Sequence, residues 1–351
     1  MNFASDNTAG IAPEILDALV AGNEGFAPGY GDDDVTRAVE RRIGEIFERE
    51  VAVFLVPTGT AANALALAHV SPPWGAVFAH AEAHILTDEC GAPEFFGGGL
   101  KLVAMPGVGC KVTPKTLTAA VSQYQGHAPH QVVPAAFSLA QASEAGTIYR
   151  PDEIAALSRV AHANGMSVHM DGARLGNALV RLNASPAEAT SKAGVDVLSF
   201  GATKGGALAA EAVVFFDRAA ALNMAERRKR AGHLLSKHRF LALQFQAFLK
   251  DDCWLRLARH ANAKADRLAA GLAAAGHPPV WPVEANLVFV VLSKAVDARL
   301  KAAGARYYVR WSESLPAGAS IGPDRVLIRL VTSFATRDDE IDWFVELAAK
   351  A

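Results

Sequence analysis

Three short stretches carry side chains whose types and spacing could do chemistry. In DVLSFGATKGGALAAEAVVFF (Asp196–Phe216) one lysine, Lys204, stands in a turn of small residues between two apolar segments. An amine stripped of water there is available as a neutral nucleophile that forms a Schiff base with a carbonyl. The plain alternative is a loop lysine at the surface. In VHMDGARLG (Val168–Gly176), Asp171 ends an apolar strand, where open α/β sheets hold their ligands. Its carboxylate needs a cation or hydrogen-bond donors there, unless it caps a helix beginning at Gly172. Arg174, three residues on, either reaches the same cleft or pairs with a surface acid. In FLVPTGTAANAL a strand runs into Thr58-Gly59-Thr60 and then a helix. Amides at that helix start either hold a phosphate or are simply capped.

No Gly-Lys-Ser/Thr follows the threonine turn, and no GxGxxG follows a strand, so neither a Walker loop nor a dinucleotide fingerprint is present. One ligand would satisfy all three stretches. It would carry an aldehyde for Lys204, a pyridinium nitrogen for Asp171 and a phosphate for the Gly59 turn. Pyridoxal 5′-phosphate has those three handles.

The elements that must position these groups are legible as a pattern. VAVFLVP, QVVPAAFSLA and MSVHMD read as buried strands, and RPDEIAALSRVAHANG as a helix with Pro151 at its start and Gly165 past its end. This βαβ rhythm predicts a mostly parallel sheet covered by helices. The link between SFG and EAVVFF is too short for a parallel crossover, so those two strands should be antiparallel neighbours. From Leu241 the chain turns helical and alanine-rich, then gives strands NLVFVVL and RVLIRLV and a closing helix. The expected division is a large ligand-binding domain over 1–240 and a small α+β domain over 241–351.

Composition narrows the partners. The chain has 351 residues, and a net charge of -2 without a basic block leaves no electrostatic footprint for nucleic acid or an anionic membrane. Three cysteines (Cys90, Cys110, Cys253) cannot all pair and match no zinc framework, so a reduced, cytoplasmic setting without a metal is expected. Cys90 reads as a packing residue. No signal peptide or membrane span is apparent.

The motifs SDNTAG, YGDD, GTAAN, AHILTDECGAPEFF, VHMDGARLGNA, SFGATKGG, RRKRAGH and IRLVTSFAT run through nearly the whole length. With them the chain resembles the low-specificity L-threonine aldolases, in the aldolase and β-eliminating lyase group of fold type I pyridoxal phosphate enzymes. The resemblance implies retro-aldol cleavage of L-threonine, L-allo-threonine and related β-hydroxy-α-amino acids to glycine and an aldehyde. A β-eliminating lyase or a phenylserine-preferring aldolase is the alternative on the same fold.

It also implies that Lys204 bonds the coenzyme aldehyde, Asp171 holds the ring nitrogen, and Gly59 and Thr60 hold the phosphate. His84 would stack on the ring, and His130 would face the substrate hydroxyl; either could be the base. Ser5, Arg174 and Arg329 would grip the substrate carboxylate, and Lys229 would reach the phosphate, in some members from a neighbouring subunit. A homo-oligomer, dimer or tetramer, with sites at the interface follows from the same likeness. Gly205-Gly206 and the region of Ser236 and Lys237 depart from the family pattern. Arg329 stands out unaided, because a cation that interrupts an apolar strand needs a partner, and its planar fork suits a carboxylate. Tyr30 is either an active-site wall or a loop anchor.

Overall fold

The computed structural model describes residues 1–126, 129–310, 315–316 and 318–350. Seven strands form the larger sheet: β1 (Ala52–Val56), β2 (Gly75–His80), β3 (Lys101–Met105), β4 (Val133–Ala140), β5 (Ser167–Gly172), β6 (Val197–Gly201) and β7 (Glu211–Phe215). Their order is β1-β7-β6-β5-β4-β2-β3. The pairs β2–β3, β2–β4, β4–β5 and β5–β6 are parallel, whereas β7 runs antiparallel to both β1 and β6. The short link from β6 to β7 has no room for a crossover helix, which is why this one strand reverses. Central strands are apolar almost throughout because helices cover both faces.

Alanine decides how closely the covering helix approaches. In helix Gly59–Val70 every residue from Ala61 to Ala68 is buried, so small side chains let its backbone lie close against the sheet. The helix Pro151–Ala163 starts with proline, and the Glu153 carboxylate accepts the Arg150 N–H at 2.7 Å. Its Ile154, Leu157 and Ala161 face the core.

A second, antiparallel sheet follows, with β8 (Leu287–Ser293), β9 (Tyr308–Arg310) and β10 (Arg325–Val331) in the order β8-β10-β9. Helices Cys253–Ala274 and Asp338–Ala349 pack on it around Leu268, Ile328 and Phe344. The chain start belongs to this layer: Phe3 is fully buried there, its N–H bonded to Arg306 O and its carbonyl accepting from Val331 N. That anchor leaves Ser5 and Asp6 at the seam between the two sheets. Helix Arg239–Leu249, which begins beside the division drawn at residue 240, contributes Leu241, Phe245 and Phe248 to the core of the large sheet. No helix among the described residues is long and apolar enough to cross a membrane.

Candidate active site

Asp171 and Lys204 leave the sheet on adjacent strands, β5 and β6, at their carboxyl ends. Asp171 caps no helix, since the next one starts only at Leu175. Its Oδ1 accepts from the Ala173 N–H at 3.0 Å and its Oδ2 from Asn63 at 2.9 Å. Burial alone would raise this carboxyl, but Lys204 and His84 more than offset it and hold it below the usual range.

Lys204 rides a turn closed by Gly205 N–H to Ala202 O at 3.0 Å and Ala202 N–H to Ala210 O at 3.1 Å. Gly206 completes it at φ 122°, and a side chain there would begin 2.9 Å from Ala12 Cβ, so only glycine fits. The lysine is partly buried rather than stripped of water. Its charge bears on Asp6, Asp171, Glu211 and His84.

The third element is the start of helix Gly59–Val70. Thr58 caps it, its hydroxyl accepting from Ala61 N–H at 3.1 Å. The amides of Gly59 and Thr60 occupy first-turn positions that have no acceptor within a helix, and nothing lies within 4 Å of where a Gly59 side chain would start. One turn along the same helix is Asn63, whose Nδ2 donates to Asp171 and also to Glu89 Oε1 at 2.8 Å. His84 Nδ1 meets that same Glu89 oxygen at 2.8 Å. The hydrogen bond from Glu89 raises the His84 imidazole, and burial raises the Glu89 carboxyl. Both directions describe a pair that keeps a proton between Nδ1 and Oε1, leaving His84 Nε2 without a partner among the described residues. Glu89 Oε2 and Asn63 Oδ1 are buried and likewise unpartnered among them.

Facing this is a wall built from the chain start and the small sheet. Arg174 grips Asp6 with two hydrogen bonds, Nε to Oδ2 at 2.8 Å and Nη2 to Oδ1 at 3.0 Å, and Asn286 donates to the same carboxylate at 3.0 Å. Burial would raise Asp6, yet Arg174 and Lys204 bring it below its ordinary range. Ser5 caps the turn Asp6–Thr8, accepting from Asn7 N–H at 3.1 Å. Arg329, on β10, is poorly served. Its Nη2 reaches only Ala4 O at 3.5 Å, its guanidinium stacks 5.4 Å from the Tyr308 ring centre, and its buried Nε has no partner among the described residues. Burial lowers its pKa, and the positive charge of Arg174 adds to that. A starved planar cation at a cleft is suited to a carboxylate.

Four of the residues singled out from sequence lie outside this cluster. His130 is exposed in the loop before β4, and among the described residues no hydrogen bond or ion pair joins it to the cleft. Tyr30, exposed and at φ 60°, donates its N–H to Ser236 O, and Lys229 Nζ sits 4.8 Å above its ring. Cys90, expected in packing, is exposed, at a backbone turn with φ 52°. Sequence reasoning passed over Asp6, Asn63, Glu89 and Asn286. The signals were present for two of them: Asn63 follows Gly59 by one helical turn, and Glu89 shares the AHILTDECG stretch with His84.

Residues 2–295 match the family model described as beta-eliminating lyase. A low specificity L-threonine aldolase of Pseudomonas aeruginosa is 46% identical over 310 residues, covering 87% of this chain and 88% of the relative. A second, from another Pseudomonas, is 42% identical over 307 residues with coverage of 87% and 88%. Among solved structures, a threonine aldolase of Leishmania major superposes with TM-score 0.91 at 30% identity, covering 99% of this chain and 98% of that one. A serine palmitoyltransferase of Sphingomonas wittichii shares the fold at TM-score 0.71 and 15% identity, covering 99% and 86%.

Proposed function

The chain belongs to the beta-eliminating lyase family, and we infer from that membership and the cleft that it is a threonine aldolase dependent on pyridoxal 5′-phosphate. It cleaves threonine and related β-hydroxy-α-amino acids to glycine and an aldehyde. The observation that carries the reading is the convergence of an amine, a buried carboxylate and a helix start: Lys204 and Asp171 on neighbouring strand ends, and Asn63 tying Asp171 to the helix that begins at Gly59.

These residues fit the coenzyme one by one. First-turn amides of Gly59 and Thr60, still open for an acceptor, suit its phosphate. Asp171, held ionised by its donors and by Lys204, suits a protonated ring nitrogen. When bound, pyridoxal phosphate supplies an aldehyde for the amine and a ring that accepts an electron pair.

The remaining work falls to side chains of the cleft. Arg329, with Ser5 beside it, takes the substrate carboxylate and so fixes which bond at Cα is aligned for cleavage. Holding a reacting group in place can contribute several of the roughly 7–11 kcal/mol available from orientation. His84, with Nδ1 committed to Glu89, presents Nε2 to receive the β-hydroxyl proton. Arg174 stiffens the wall through Asp6 with Nε and one Nη2 N–H, and among the described residues its Nη1 N–H groups make no hydrogen bond, leaving them for a ligand.

Tyr30, Lys229 and His130 make sense as residues given to another copy of the chain. Exposed apolar side chains such as Phe26, Phe95 and Leu208 are of the kind that contact with another copy would cover. The proposed enzyme is a homo-oligomer with sites completed across the interface, and its three free cysteines support a reduced, cytoplasmic setting. Mixing K204A with K229A protein should then restore part of the activity that each lacks alone; no recovery would mean that the sites are independent.

The direct test is incubation with L-threonine, L-allo-threonine and phenylserine in the presence of the coenzyme. Aldehyde and glycine should appear. Pyruvate and ammonia instead would move the enzyme to β-elimination. Borohydride reduction and peptide mapping should place the coenzyme on Lys204.

A further inference from the structure

We propose that Tyr308 is a positioning residue for Arg329: its ring holds the guanidinium at the cleft and leaves the N–H groups for the substrate carboxylate. The proposal rests on the reading of Arg329 as the residue that takes that carboxylate.

Arg329 interrupts the apolar strand β10, and its neighbours across both ladders are aromatic, Phe289 on β8 and Tyr308 on β9. Residues directly opposite one another in an antiparallel pair share a face of the sheet. Phe289 is buried with Leu327 and Val331 where the small sheet meets Ala142 and Ile148. Tyr308 has no such place. It lies on an edge strand and is 52% exposed, so packing alone does not call for an aromatic ring there. Among the described residues its hydroxyl makes no hydrogen bond. What its ring does meet is Arg329, whose guanidinium carbon stands 5.4 Å from the ring centre. That lies within the roughly 6 Å over which a cation is attracted to an aromatic face.

Other arginines of the cleft are held by acids. Arg174 gives Nε and Nη2 to Asp6, and Arg310, two residues along β9 from Tyr308, pairs with Glu82 at 3.9 Å. An acid occupies the donors of the arginine it holds. An aromatic ring does not, because a guanidinium stacked on it keeps its N–H groups in its own plane. Arg329 shows the result: one long contact from Nη2 to Ala4 O at 3.5 Å, and a buried Nε without a partner among the described residues. A carboxylate at position 308 would hold the cation by its donors and close it to the substrate.

The test compares Tyr308→Phe, Tyr308→Leu and Tyr308→Glu in enzyme loaded with pyridoxal phosphate. It reads KM and kcat for L-threonine, the dissociation constant of glycine by calorimetry, and the melting temperature. Phenylalanine keeps the ring and should match wild type. Leucine should raise KM and the glycine dissociation constant roughly 3- to 10-fold while kcat changes less than about twofold. Glutamate, which offers Arg329 an acid, should raise both further. Melting temperatures should stay near wild type, since substitutions at an exposed edge position disturb stability little.

A phenylalanine variant as impaired as the leucine one overturns the proposal, because the hydroxyl rather than the ring would then matter. So does a glutamate variant that binds like wild type, or a lowered melting temperature with KM unmoved. In an Arg329→Ala background, Tyr308→Leu should add nothing to KM. If its full effect persists there, the tyrosine acts on its own account and not through Arg329. Should Arg329→Ala alone leave KM unchanged, the reading of Arg329 falls. A raised KM in Arg329→Ala beside an unmoved one in Tyr308→Leu overturns the role of Tyr308 only.

Discussion

Along the carboxyl edge of the large sheet, the charges of the cleft are tied to one another. Asp171 takes donors from Asn63 and Ala173, Glu89 takes Asn63 and His84, and Asp6 takes both forks of Arg174. Across the cleft, in the small sheet, Arg329 has a long contact to one carbonyl, a tyrosine face and a buried Nε without a partner among the described residues. The two regions have the same sort of groups in opposite states. A network whose carboxylates are each tied to neighbouring donors, with only Glu89 Oε2 and Asn63 Oδ1 left over among the described residues, is pre-set to hold a resident group in one pose. A cation left short of acceptors keeps its capacity for a ligand that comes and goes. The contrast separates a place for the coenzyme from a place for the substrate.

That comparison breaks most visibly at Lys204. Lys204→Ala should abolish the visible band and cut turnover on the order of 10⁴-fold or more, because no other amine stands at that turn. Absorbance spectra and a glycine assay read both. A variant that kept the band would move the coenzyme elsewhere and dissolve the distinction between the regions.

The two arginines sharpen it, because the same substitution should have unlike consequences. Arg174→Ala leaves Asp6 buried without its main partner, and breaking such a pair costs about 3–5 kcal/mol of stability. Denaturant unfolding should show the loss. Arg329→Ala removes a cation that has little to lose, so stability should hardly change. The KM for threonine should instead rise roughly 10- to 100-fold, the equivalent of a charge-assisted hydrogen bond of about 1.5–3 kcal/mol. If Arg329→Ala unfolds easily and binds normally, the two roles are reversed.

The mostly parallel sheet and its reversed strand could be read in advance because they follow from local features: apolar runs, a proline-led helix and a link too short to cross over. Lys204 and Asp171 stood out for the same reason, each being a charged residue at the end of an apolar run. Asp6, Asn63, Glu89 and Asn286 did not. Asn63 and Glu89 had local signals beside Gly59 and His84 that went unread, whereas the meaning of Asp6 and Asn286, and of the bond from Asn63 to Asp171, lies in contacts between distant segments that no window of sequence brings together. Arg174 could be marked as a cation near the cleft, yet whether its partner is a ligand or a protein acid depends on where the chain start folds back. The anchoring of Phe3 in the small sheet decides that, and a single buried phenylalanine near a terminus gives no warning of it.

The smallest expected effect concerns the pair that bridges the network to the cleft. Glu89 is buried, and its hydrogen bond raises the imidazole of His84. If Nε2 of His84 takes the substrate proton, it must be unprotonated, so activity falls as pH drops through the His84 pKa. Glu89→Gln keeps an oxygen facing Nδ1 but removes the charge, which lets that pKa fall. The acid limb of the rate profile should therefore move to lower pH, by about one unit. Its direction is the informative part. Loss of packing alone would lower the whole profile without sliding it. A limb that stays in place would mean that His84 does not take the proton, and would leave its bond to Glu89 a matter of holding the ring still.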